Sequence, residues 1–195
     1  MARLKTFNCL ILSDSRGRDL DDYIKDSDVL TSLPNCHINV EVRTRPGITL
    51  KSIDRQLHNI TRGKTYDFII IFAGICSFTK AHKDGNINLL VYEGEDKPDL
   101  ALEIINKWLS KHGKKIHIAI IPPADINKFN TLKNEDWSAT DQTIEQQSKL
   151  VRDIERVNDY IIETNIIRDQ PTILTAKQTY YSATRKNKKT GKKIR

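Results

Sequence analysis

Three short segments carry the residue types of an acyl-transfer site. Ser13-Asp14-Ser15 follows the apolar run Phe7 to Leu12 and leads into the basic turn Arg16-Gly17-Arg18. Gly47 closes Arg43-Thr44-Arg45-Pro46-Gly47, and Gly74-Ile75-Cys76 follows the isoleucine-rich run from Asp67. A serine hydroxyl at the end of a strand attacks a carbonyl carbon once a base takes its proton. N–H groups of nearby turns then hold the developing oxyanion. The tripeptide also fits an ordinary polar turn between strand and helix, so the surrounding elements must decide.

Those elements alternate. Phe7 to Leu12 reads as a buried strand, Asp19 to Ile24 opens a helix, and His37 to Arg43 alternates with period two. Leu50, Ile53, Leu57 and Ile60 form a helix stripe within Thr49 to Ile60. Asp67 to Gly74 is apolar on both faces, as a central parallel strand is. Pro98 to Lys111 reads as a helix, Lys115 to Pro122 as a strand and Asp141 to Ile166 as a long helix with core stripe Leu150, Ile154, Val157 and Ile161. Thr172 to Leu174 reads as a short last strand. Residues 80–97 read as a long loop or insertion, with a short edge strand allowed where Ile87, Leu89 and Val91 alternate. Strands alternating with helices predict an α/β fold, a three-layer doubly wound parallel sheet of flavodoxin-like type. In such sheets ligands gather beyond the carboxyl ends of the strands, where the strand order reverses. All three segments fall at that edge.

These residues resemble the blocks of the SGNH (GDSL-type) hydrolases over roughly residues 6–125. Ser13-Asp14-Ser15 is similar to the family's Gly-Asp-Ser, with serine in place of glycine. Gly47 stands where the second-block glycine is kept, and Gly74-Ile75-Cys76 resembles Gly-x-Asn, with cysteine in place of asparagine. The resemblance implies that Ser15 is the nucleophile, that an ester is the substrate and that no cofactor is required. The N–H groups of Ser15 and Gly47 then form the oxyanion hole, with position 76 as third member. Cys76 has no carboxamide, and losing one such donor typically costs about 100- to 1,000-fold in rate.

The family's base comes from a late Asp-x-x-His block, which this sequence does not contain; its five histidines are His37, His58, His82, His112 and His117. His37 and His117 fall in strands, as structural histidines do, and His58 and His112 on helix surfaces. His82, in the segment after the third strand, is the histidine whose topology suits a substitute base. Two readings stand: a chain that stops short of the last block, or a divergent copy that has lost it. Either leaves an esterase fold that is weak or inactive in this form.

Charge supplies a second class of function. Arg16, Arg18, Arg43 and Arg45 flank turns at the same edge and suit an anion such as phosphate or carboxylate; pairing with Asp14, Asp19, Asp21 and Asp22 is the competing use. The formal net charge of +7 equals the seven Lys and Arg among the eleven residues Arg185 to Arg195, so residues 1–184 are formally neutral. The expected organisation is one α/β domain over 1–184 and a basic tail over 185–195, which is a solvated end or a contact for nucleic acid. No apolar run approaches the roughly 20 residues of a membrane span. Three cysteines without metal-type spacing suit a reduced intracellular setting, cytoplasmic or nuclear, and no metal motif is present.

Overall fold

The computed structural model describes residues 5–14, 20, 22, 24, 35–84, 87–93, 97–134 and 136–174. Strand β1 (Lys5–Ser13) pairs in parallel with β2 (Cys36–Thr44) on one side and β3 (Phe68–Phe72) on the other. After a hairpin formed by β4 (Thr79–Asp84) and β5 (Ile87–Tyr92), β6 (Ile116–Ile118) adds in parallel beside β3. The sheet order is therefore β2-β1-β3-β6, with Ile173 next in line through a parallel bridge to Ala119. This is the flavodoxin-like winding, in which the order reverses between β1 and β3. The strand expected over Thr172 to Leu174 shrinks to that single bridge.

The core follows the apolar periodicities. Leu10, Leu12, Ile69, Ile71, Ile116 and Ile118 are buried on one face of the sheet. Helices α1 (Leu50–Thr61), α2 (Lys97–His112) and α4 (Asp141–Ile167) close over the same core with Ile53 and Leu57, Ile105 and Trp108, and the stripe Leu150, Ile154, Val157 and Ile161. Each such side chain contributes about 1.5–3 kcal/mol on burial. Cys9 and Ile11, pointing the other way, are also buried, so the middle of the sheet is covered on both faces. Burial pushes the Cys9 thiol up to about 11, leaving it a small apolar filler. Trp108 packs in the core, its indole N–H donating to Asp54 at 2.9 Å.

Two segments depart from the sequence expectation. Residues 80–97 are largely a regular antiparallel hairpin rather than a loop, with Thr79 opposite Tyr92 and His82 opposite Leu89. The polar composition of β4, Thr-Lys-Ala-His-Lys-Asp, hides its strand character. A short helix, α3 (Ile126–Lys133), was also not anticipated; Asp125 caps it by accepting from the N–H of Lys128 at 2.8 Å. Of the helix expected from Asp19, Leu20, Asp22 and Ile24 are helical. The tail 185–195 lies outside the described residues.

Side-chain amides stand in for missing strand partners. Asn130 of α3, buried, accepts from the Leu90 N–H at 2.6 Å and donates to the Leu90 carbonyl at 2.9 Å. Asn158 of α4 does the same for both groups of Ile121, at 2.7 and 2.8 Å. Gln147 accepts from the Ile126 N–H and donates to the Ala124 carbonyl. At the outer strand, Glu41 collects Lys64 at 2.5 Å, Tyr66 at 2.7 Å and Arg43 at 2.6 Å. The Lys64 ammonium first, then the Tyr66 hydroxyl, hold the Glu41 carboxyl down at about 2.

Removing the Asn130 amide strands a buried N–H and carbonyl, so Asn130→Ala should lower stability by about 2–4 kcal/mol in urea denaturation. Asn130→Asp should not rescue it, because a carboxylate cannot donate to the Leu90 carbonyl. Glu41 gives an acid-side signature. Its depressed pKa contributes stability fully present above about 4.5 and lost as the pH falls toward about 2. Unfolding midpoints measured across that window should fall more steeply for the parent than for Glu41→Gln.

Candidate active site

The carboxyl ends of β1, β2 and β3 are level. Ser13 stands opposite Thr44 on one side and Phe72 on the other. Its hydroxyl donates to the Phe72 carbonyl at 2.9 Å, and its own carbonyl accepts from the Arg45 N–H at 3.0 Å. Asp14, Arg45 and Ala73 therefore leave the sheet side by side, and both Ser13 and Asp14 are buried. Ser15, Arg16 and Arg18 lie outside the described residues.

The other two segments complete the edge. Arg45 to Ile48 is a turn closed by an Ile48 N–H to Arg45 carbonyl bond of 3.3 Å, with Pro46 and then Gly47 at φ 72°. Proline followed by a residue of positive φ is the pattern of a type II turn, which is why glycine stands at 47. Gly74 has φ 147°, ψ −32° and opens a 3₁₀ turn over Ile75–Ser77 that carries Cys76. A Cβ at Gly74 would lie 2.7 Å from the Ile121 side chain. Ser77 then ties this turn to α1, its hydroxyl accepting from the Leu50 N–H at 2.8 Å.

Beside the turn is a cleft of about 100 Å3, lined by Cys76 and Ser77 on the turn, Thr49 and Lys51 at the start of α1, and Leu100 and Ile104 of α2 among others. That is less than the ~150 Å3 of an apolar cavity that admits benzene. The wall from α2 is a feature the sequence reading missed; Pro98 to Lys111 reads as a helix, but nothing in its sequence says what it faces.

The charged and basic candidates separate. Arg43 is turned to Glu41, 2.6 Å away. Arg45 is exposed at the edge. His82 is exposed on β4, three residues beyond Thr79, or about 10 Å along the strand. His37 stands opposite Thr6, at the far end of the sheet. His58 lies eight residues into α1 and His112 ends α2, each more than about 10 Å along its helix from the end nearest the cleft. His117 stands opposite Ile70 inside the sheet, and burial, then the nearby Arg168, hold its pKa below the usual imidazole value. Among the described residues no group of His, Cys, Asp and Glu is arranged to hold a metal ion, and no helix is long and apolar enough to cross a membrane.

Gly74→Ala tests the turn on which Cys76 sits. The backbone conformation and the approach of Ile121 together should cost about 2–3 kcal/mol. Combining it with Ile121→Ala, which removes both atoms that a Cβ would meet at 2.7 Å, should recover only part of that loss, because the φ strain remains. Thermal unfolding of Gly74→Ala, Ile121→Ala and the double variant separates the two effects.

No protein-family model matches the sequence, and no curated protein matches it. Solved structures do. A lipase/acylhydrolase from Enterococcus faecalis superposes with a TM-score of 0.57 at 14% identity, over 90% of this chain and 80% of that one. A GDSL-like lipase from Bacteroides thetaiotaomicron gives 0.51 at 14% identity, over 86% and 67%. An α/β hydrolase from the metagenome of Lake Arreo, Spain, gives 0.53 at 9% identity, over 90% and 79%. At these identities the likeness is one of architecture alone: the chain has an SGNH-like (GDSL-type) hydrolase fold.

Proposed function

We propose that this domain is built on the scaffold of an acyl-ester hydrolase, with Ser15 at the nucleophile position, and that its turnover in this form is weak or absent. The observation that carries the reading is Cys76, seated in the turn after β3 where the fold's asparagine amide would donate to the oxyanion. A thiol is a weak donor, so the tetrahedral intermediate gains little from it. The second support is the base. Proton removal from serine is worth most of the catalysis, and in a serine protease losing the histidine costs about a million-fold. No histidine follows His117, and the four histidines other than His82 belong to strand interiors or to helix positions remote from the edge. Gly47 supplies an oxyanion N–H in this reading, and the small cleft beside Cys76 suits a short acyl group.

A second reading, a non-catalytic domain that holds an anion at this edge or nucleic acid through 185–195, is favoured by the exposed Arg45 next to the Gly47 turn. Arg43 is less available for that role, being drawn to Glu41.

The 195-residue chain should resist labelling of Ser15 by a fluorophosphonate probe and should hydrolyse p-nitrophenyl acetate only slightly above background. Cys76→Asn alone should leave labelling absent, because the base is still missing. Robust labelling that disappears in Ser15→Ala would show an active serine, and labelling lost in His82→Ala would identify the base.

A further inference from the structure

The formal neutrality of residues 1–184 conceals an uneven distribution. Residues 50–64 and 97–115, which contain α1 and α2, hold nine Lys and Arg against three Asp and Glu. The remainder of the first 184 residues is correspondingly acidic; α4 alone carries six Asp and Glu against three Lys and Arg. Along α1 and its C-cap, Lys51, Arg55, His58 and Arg62 recur at intervals of four, three and four, which places them on one face, and all four are exposed. On α2, the exposed Lys107 and Lys111 run alongside. The two helices meet where Lys111 Nζ lies 3.2 Å from His58 Nδ1, and His58, Thr61, Arg62 and Lys111 line a shallow groove there. Asp54 is the acid of α1, and it is taken up by Lys107 at 2.6 Å and Trp108 at 2.9 Å.

We propose that the α1–α2 face is a docking surface for the phosphate backbone of duplex nucleic acid. The charge complementarity is linear: from Lys51 to Arg62 the stripe runs about 16 Å at 1.5 Å per residue. That is the axial length of about five base pairs, along which a duplex carries one negative charge per ~1.7 Å. The ridge offers cations without an exposed aromatic ring on which a base could stack, its one tryptophan, Trp108, being buried. It is therefore suited to holding backbone rather than to stacking single strands or reading sequence. The stripe touches the candidate active site only at Lys51, which also lines the cleft beside Cys76, and it rests on no part of the esterase reading. It adds a second contact to any made by the tail.

The test uses the full 195-residue chain and the anisotropy of fluorescein-labelled DNA and RNA duplexes of about 20 base pairs, titrated across a range of KCl. Arg55→Gln/Arg62→Gln/Lys111→Gln should lower the slope of log K against log salt by about 2.7, since each lost phosphate contact removes about 0.9. Affinity at the lowest salt should fall at least tenfold, on both duplexes alike. Ser15→Ala should bind as the parent does. Neutralising Lys188, Lys189, Lys192 and Lys193 to Gln should leave binding that still responds to the helix substitutions. Should the triple variant not fold, Lys51→Gln/Arg55→Gln must lower the slope by about 1.8. An unchanged slope in the folded helix variant overturns the proposal. So does complete loss of binding on neutralising the tail alone, or a parent chain that binds vesicles of anionic phospholipid but neither duplex.

Discussion

Everything at the candidate edge depends on the parallel register of β1 against both neighbours. Parallel strands all finish at the same edge, and here the finish is tied off by Ser13, whose side chain and carbonyl each join an adjacent strand. Three chain segments are thereby released side by side, that of β1 about 4.8 Å from each neighbour and the outer two about 10 Å apart. Antiparallel pairing would send alternate loops to opposite ends, and the residues at 14, 47 and 74 would not meet. The Gly47 turn and the Gly74 turn are consequences of that geometry, each bending the chain sharply as soon as it clears the sheet.

The second organising device is the use of carboxamides as substitute strand edges. A backbone N–H and carbonyl on one residue present the same donor and acceptor pair that an asparagine or glutamine side chain offers in reverse. Asn158 supplies that complement to Ile121, the residue packed against Gly74. The long helix α4 thereby fixes the wall against which the β3 turn is pressed. Asn130, Gln147 and Asn158 each pair with backbone N–H and carbonyl groups, which lets segments without a strand neighbour remain ordered.

The alternation of strands and helices was legible because its elements are buried, and burial imposes periodicity. The α4 stripe is an example: Leu150, Ile154, Val157 and Ile161 are all in the core. Only half of the hairpin was legible: the alternation of Ile87, Leu89 and Val91 falls in β5, whereas β4 is exposed along Ala81 to Lys83 and is held by backbone pairing rather than by an apolar face. Asn130 gave no signal either, since an asparagine looks the same in sequence whether it clamps a strand or faces water. The edge residues could be named from their order after successive strands. Their partners could not: Arg43 finds Glu41 two residues away on its own strand, a contact as ordinary in sequence as any other acid pairing. The charge balance misled in a different way, since a sum over residues says nothing of which side of the molecule carries which sign.

The clamp at Leu90 also bears on motion. A two-stranded hairpin is marginal by itself; this one is held to α3 by Asn130, which takes both polar groups of Leu90, and to α4 by the Tyr92 hydroxyl, which donates to Asp153. Helix α3 has eight residues, too few to persist alone in water. Hairpin and helix are each insufficient and mutually completing, so they should open and close together as one cooperative unit while the parallel sheet stays shut. In hydrogen exchange, the Leu90 amide and the amides of α3 would then share one opening free energy, lower than that of Leu10 or Ile71. The wall of the molecule formed by that unit would act as a panel hinged on α4, to which Gln147 and Asp153 join it.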